Sequence, residues 1–194
     1  MLILASTSPT RKSLLERAGV PFQAIAPQAD EKKLQEQLVH HPVGSLASKL
    51  AEAKSKSIAA TYPNSIVIGV DQTLIIDGKI LHKPTSQHEA KKQLFELRGK
   101  THTLTSAICC SIGGEVIWQF EDQAHLTMRT FSDGFLKHYL DHVKEDILGS
   151  VGSYKIEAEG VQLFEKIEGD YFTILGFPLL PLLAFLRSRD IVIS

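Results

Sequence analysis

Cysteine is nearly absent: the chain has two, and they are adjacent, Cys109-Cys110, inside an apolar strand-like run. Neighbours on a strand point to opposite faces, so neither a disulfide between them nor a shared metal is expected. Such usage fits a reducing cytoplasm. No apolar run reaches membrane-spanning length, and the run 177–186 is both short and interrupted by Pro178 and Pro181. The start, Met1-Leu2-Ile3-Leu4-Ala5-Ser6, has neither the charged beginning nor the apolar length of a signal peptide. A membrane is therefore not expected as a partner. Charge of one sign is lacking too: the formal net charge is -1 at pH 7, with no acidic tail. No stripe of basic and aromatic residues appears, so nucleic acid is not expected either. There is no Gly-x-x-x-x-Gly-Lys pattern, which excludes a P-loop, and no second histidine follows His88-Glu89 at zinc-helix spacing. Repeats and low-complexity tracts are absent.

What is present is ordinary globular material, 43% hydrophobic and 22% charged over 194 residues. That length fits one domain spanning 1–194, or one with two lobes, and can bury a sizeable core. The centre of the chain is Ile66-Val67-Ile68-Gly69-Val70-Asp71-Gln72-Thr73-Leu74-Ile75-Ile76-Asp77-Gly78. It reads as two β-branched apolar runs around a carboxylate, closed by a turn dipeptide. Unbroken apolar runs suggest a strand covered on both faces. Asp71 stands where the first run stops, and α/β proteins bind ligands off strand ends, so it is either a working carboxylate or a turn cap.

Before this centre, a strand at Leu2–Ala5 leads through Ser6-Thr7-Ser8 into a helix over residues 9–18. Ser8 suits the N-cap, Pro9 the first helical position, and Gly19 the residue after the end. Free backbone N–H groups at that helix start, with Ser6, Ser8, Arg11 and Lys12, make either an anion site suited to phosphate or an ordinary capped helix. A strand is expected at 22–26, and Asp30-Glu31 follows in a loop as a cation site or a solvated pair. Residues 44–60 read as a helix with Lys49, Lys54 and Lys56 most simply facing solvent. Beyond Gly78, Lys83-Pro84 lies in a loop able to return over the strand ends. Ser86-x-x-Glu89 is a capping box opening a helix to Arg98. Residues 103–112 and 115–128 form a hairpin across Gly113-Gly114, and Ser132 caps a helix to about His142. The segment 149–157 is glycine-rich and expected to be flexible, with Lys155 and Glu157 as its working groups. A strand is expected at 161–167 and a last helix after Pro178. Strands and helices interleave throughout, which makes the class α/β.

Read together, Ser6-x-Ser8-Pro9-x-Arg11, Asp30-Glu31, Lys54, Gly69-Val70-Asp71, Asp77-Gly78-x-x-x-x-Lys83-Pro84, Gly152-x-Tyr154, Glu168-Gly169-Asp170 and Gly176-x-Pro178-Leu179 occur in one order. Over nearly its whole length the chain resembles the Maf-like nucleoside triphosphate pyrophosphatases, proteins first linked to septum formation. The resemblance implies a mixed twisted sheet with helices and a deep central cleft, related to the inosine-triphosphatase fold, and a homodimer. It implies hydrolysis of a nucleoside triphosphate between the α- and β-phosphates to a monophosphate and pyrophosphate, with a divalent cation, Mg²⁺ or Mn²⁺, required.

Carried over by residue, Asp71 matches the family's proton acceptor, Arg11 the second arginine of its Ser-Pro-Arg-Arg motif, and Glu31, Lys54 and Lys83 its cleft residues. Arg11, Lys54, Lys83 and the helix amides would bind the triphosphate and stabilise charge on the leaving pyrophosphate. Asp71 would activate water, bind metal or do both, with Glu31 as the additional metal ligand. The chain departs from the family at Thr10, where the first arginine is lost, and at His82, which replaces a glycine. Gln72 stands for threonine and Glu157 for glutamine. The Gln72 and Glu157 pair resembles the branch acting on 7-methyl-GTP, although that branch carries an aromatic residue where Thr10 stands. A carboxylate such as Glu157 can accept two hydrogen bonds from a guanine edge. Two other readings stand beside it. One is a house-cleaning pyrophosphatase for dTTP and UTP or for inosine and xanthosine triphosphate. The other is a non-catalytic nucleotide sensor acting on septum formation.

Overall fold

The computed structural model describes residues 1–30, 34 and 46–193. Glu31 and the first residues of the helix expected at 44–60 lie outside the described residues. In chain order the elements are β1 (Leu2–Ala5), α1 (Pro9–Arg17), β2 (Gln23–Ile25), α2 (Leu46–Ala59), β3 (Ile66–Ile76), β4 (Lys79–Leu81) and α3 (Gln87–Leu97). They continue with β5 (Thr101–Ile112), β6 (Glu115–Met128), α4 (Asp133–Val143), β7 (Phe164–Glu168), α5 (Tyr171–Ile174) and α6 (Leu179–Ser188). The fold is α/β, built on a mixed seven-stranded sheet in the order β2-β1-β3-β5-β6-β7, with β4 paired to β3. None of the described helices is long and apolar enough to cross a membrane.

The chain forms two compact units, Met1–Gln72 with Thr105–Asp122 and Asp170–Ser194, and Thr73–Leu104 with Gln123–Gly169. In the first, β1 is parallel to both β2 and β3. Alternation along β1 and β3 divides the core. Leu2, Leu4, Ile68 and Val70 pack with Leu15 of α1 and Phe185 of α6. Ile3, Ala5 and Val67 pack instead with Ile58 and Ala59 of α2. A strand buried on both faces cannot alternate polar and apolar residues, which is why β3 reads as a continuous apolar run. Cys109 and Cys110 enter different clusters, as neighbours on a strand must. The α1 start follows the sequence reading: the Arg11 backbone N–H donates to Ser8 Oγ at 3.4 Å, and Pro9 occupies the first turn.

In the second unit, Asp77 and Gly78 both have positive φ, 49° and 74°, and join β3 to β4 in a two-residue hairpin. Ser86 accepts from Glu89 N–H at 3.2 Å. The Glu89 carboxylate, however, goes to Thr85 N and Oγ1 at 2.7 and 2.8 Å instead of closing the box on Ser86. Two expectations need correcting. The strand expected at 161–167 begins at Phe164, because Glu159–Leu163 is a 3₁₀ turn that lays Gly160 against the backbone of Lys155. The segment 149–157 is not a loose loop: Gly152, Ser153 and Tyr154 are buried, and Lys155 pairs with Asp146 at 2.6 Å.

Candidate active site

Asp71 does not end its own strand, as the sequence suggested, since β3 runs on through it to Ile76. It stands two residues past Gly69, the last residue of β3 paired with β1 through Ala5. What ends beside Asp71 is thus the parallel neighbour. The Ser6–Ser8 turn starts at that level, with Ser8 N–H donating to the buried Ser6 Oγ at 3.2 Å. Asp71 reaches the carboxyl edge of a parallel pair, the usual ligand position, without being at a strand end.

Strand alternation sends Asp71 and Gln72 to opposite faces. Asp71 shares the face of Gly69, against which α2 packs closely. There Lys54 Nζ donates to Asp71 Oδ1 at 2.5 Å, with the two side chains 9% and 11% exposed. Lys54 is therefore buried, not solvent-facing; Lys49 and Lys56 on the same helix are the exposed ones. The pattern of α2 missed this because an ammonium on a small-residue face looks like a misplaced surface charge until its carboxylate partner is seen. A buried ion pair adds little net stability after desolvation.

On the other face, Arg11 Nε donates to Gly176 O and Nη1 to Val70 O, both at 3.0 Å. The guanidinium thus ties the residue before Asp71 to the turn between α5 and α6. Gln72 Nε2 lies 3.0–3.1 Å from Ser106 Oγ, Thr173 O and Ile174 O. Its amide nitrogen is committed to the protein. Thr173 is held further, its hydroxyl donating to Asp122 Oδ2 at 2.7 Å, while Asp170 Oδ1 caps Phe172 N and Thr173 N. Because α5 is a single turn, its first N–H groups need such a cap. Ser106 and Asp122 were missed by sequence reasoning, and their strand positions carry no signal that would have found them.

Thr10 and Lys12 are half-buried on α1. Ser6, Ser8, Thr10, Arg11, Lys12, Lys54, Asp71 and Gln72 all belong to the first unit, whereas Lys83 and Glu157 belong to the second, each exposed there. Among the described residues no group of three or more His, Cys, Asp or Glu side chains could hold a metal ion. The Asp71 carboxylate is a hard oxygen donor of the kind that Mg²⁺ or Mn²⁺ takes together with phosphate oxygens.

The comparisons with known proteins follow the same direction. A 7-methyl-GTP pyrophosphatase of Rhizobium meliloti is 47% identical over 190 residues, covering 97% of this chain and 96% of its own. The protein of that name from Brucella abortus is 44% identical over 193 residues, 98% of this chain and 97% of its own. A nucleoside triphosphate pyrophosphatase of Granulibacter bethesdensis is 43% identical, with 97% of each chain covered. A solved nucleoside-triphosphatase / dITP/XTP pyrophosphatase from Mycobacterium abscessus matches 97% of this chain and 94% of its own at TM-score 0.45 and 13% identity, too distant to carry an argument. The profile of the Maf-like proteins matches residues 1–189, and with relatives this similar along their whole length the chain belongs to the Maf-like family.

Proposed function

We propose that the protein is a nucleoside triphosphate pyrophosphatase that cleaves the α–β phosphate bond, with 7-methyl-GTP as its preferred substrate. The observation that carries this reading is the buried Lys54–Asp71 pair beside the end of β1, in a chain whose near full-length relatives bear those enzyme names. Water attacks the α-phosphorus, its proton passes to the Asp71 carboxylate, and the bridging oxygen leaves with pyrophosphate. Lys54 fixes the carboxylate through Oδ1. The amides at the start of α1, with Ser6, Ser8, Thr10 and Lys12, bind phosphate oxygens. Arg11, held on Val70 O and Gly176 O, and Lys83 add positive charge for the triphosphate and the leaving group. A pyrophosphate-release screen over standard and modified triphosphates tests the assignment. Turnover fastest on 7-methyl-GTP supports it, while preference for dTTP, UTP or inosine triphosphate moves the substrate, and background turnover on all of them leaves a nucleotide sensor.

A divalent cation suits Asp71, with Glu31 as the further carboxylate, and when bound it would offset triphosphate charge. Activity should fall to background in excess chelator and return with added Mg²⁺ or Mn²⁺. Turnover that persists in chelator would remove the cation from the reaction.

Glu157 is proposed as the base reader, accepting from the N1–H and 2-amino group of the guanine edge. Gln72 acts differently, through its hold on residues 173–174, because its amide nitrogen is already used. Glu157→Gln keeps the shape but loses a charge-assisted acceptor pair worth roughly 1.5–3 kcal/mol, or about one to two decades in kcat/KM. The loss should fall on 7-methyl-GTP and spare dTTP and UTP. An unchanged ratio between the two classes would place base choice elsewhere, with Thr10 next in line. We also propose a cytoplasmic homodimer as the working form, which sedimentation of the purified protein would check.

A further inference from the structure

In the second unit a histidine that the chemistry does not use is buried beneath the segment carrying Glu157. His102 on β5 is 1% exposed, and its Nε2 lies 2.7 Å from Tyr154 Oη. Tyr154 is 5% exposed, and the rings of His102, Tyr154 and Phe164 pack against one another. Burial keeps the imidazole neutral, with its pKa lowered to about 4. A neutral imidazole and a phenol share one hydrogen bond here, while His102 Nδ1 is buried with no hydrogen-bond partner among the described residues. An arrangement that leaves a polar atom unsatisfied contributes little stability, so its retention needs another reason.

The backbone beside Tyr154 supplies one. Gly152 and Ser153 have successive positive φ values, 78° and 63°, and the second is not glycine. That conformation is costly for serine and persists only where its surroundings hold it. Ser153 Oγ donates to Gln93 Oε1 at 2.9 Å, and Tyr139 Oη donates to Ser153 O at 3.2 Å. A Cβ on Gly152 would meet Leu74 Cδ1 and Tyr154 Cε1 at 2.6 Å, so the ring closes tightly over this turn. Beyond Tyr154 the chain folds back at once, with Ala158 N–H donating to Lys155 O at 3.3 Å and Gly160 pressed on the Lys155 backbone. Glu157 stands exposed at the tip of that return, two residues from the pinned backbone.

We propose that His102 and Tyr154 are positioning residues for nucleotide selection: their buried hydrogen bond fixes the strained 152–154 turn and thereby the placement of Glu157. This rests on the reading of Glu157 as the base-selecting side chain. Neither residue touches the nucleotide. A merely structural pair would change stability and affect all substrates alike, whereas a positioning pair changes their ratio.

The test compares wild type, Tyr154→Phe, Glu157→Gln and the double variant for kcat/KM on 7-methyl-GTP and on UTP, together with amide hydrogen exchange over 152–160. Tyr154→Phe keeps the ring and deletes the hydroxyl. It should speed exchange in this segment about ten-fold, lower kcat/KM for 7-methyl-GTP by a similar factor and leave UTP within two-fold. The double variant should show no further change in ratio beyond Glu157→Gln. Unchanged exchange overturns the anchoring. Faster exchange with an unchanged ratio, while Glu157→Gln does shift it, overturns the positioning role. If Glu157→Gln itself shifts nothing, the base-reading assignment falls and takes the selection claim with it, while exchange still decides the anchor. Should Tyr154→Phe fail to fold, His102→Phe removes the other partner of the same hydrogen bond while keeping a ring in its place, and the same outcomes apply.

Discussion

Asp71→Asn should lower pyrophosphate release by a factor on the order of 10² or more, the size expected when a general base is lost. Asparagine has nearly the same shape, so nucleotide binding should survive, and a binding assay with a non-hydrolysable analogue would show an affinity within a few-fold of wild type. The substitution is not innocent for stability. Lys54 lies 2.5 Å from Asp71 Oδ1 in a site where both side chains are about nine-tenths covered. Replacing the carboxylate by a neutral amide leaves a buried ammonium with a weaker partner, at a cost of about 1–3 kcal/mol. Asp71→Asn/Lys54→Met removes both charges and should recover much of that stability in denaturant melts. It should recover no turnover. Near wild-type pyrophosphate release by Asp71→Asn would remove Asp71 from the mechanism, and a double variant less stable than the single one would show that the pair is not the source of the cost.

How far the sequence disclosed this site differs from residue to residue, for physical reasons. The α1 start was readable because its signals are local: Ser8, Pro9 and Gly19 each act within a turn of the helix they bound. The turns at Asp77-Gly78 and Gly113-Gly114 were readable because two-residue hairpins require positive φ. Lys54 was harder. Its helix face could be counted, but the carboxylate that justifies burying an ammonium lies 17 residues away on a strand. The level of Asp71 depended on where β1, not β3, stops, and a register between strands more than sixty residues apart has no local trace. Arg11 and Gln72 were recognised as site residues, yet Arg11 is tied to Val70 on a strand 59 residues on, and Arg11 and Gln72 are tied to Gly176 and Thr173, 165 and 101 residues on. Sequence could name such residues; the contacts say how they act.

Gly69→Ala should be the most damaging single-methyl change in the chain's centre. An ideal Cβ at this position would lie 2.0 Å from Ala51 O, 2.5 Å from Ser55 N and 2.9 Å from Ser55 Cβ. Two of those three atoms are backbone of α2, so no flexible side chain can swing away. The helix must move off the sheet. Overpacking of a buried site costs about 1–3 kcal/mol and more where the backbone must shift, so a loss of roughly 3 kcal/mol or more is expected. For a chain of this length that corresponds to about a 6–12 °C fall in Tm. The displacement should also reach the chemistry, because Ala51 and Ser55 flank Lys54 on α2 and Gly69 is two residues from Asp71. The 2.5 Å contact between Lys54 and Asp71 tolerates little movement. At a temperature where Gly69→Ala is still folded, kcat should therefore fall ten-fold or more with KM changed far less. A melt and a Michaelis curve on the same preparation decide it. A variant as stable as wild type would mean that α2 can retreat at no cost. A destabilised variant with full kcat would mean that the Lys54–Asp71 spacing does not govern the reaction.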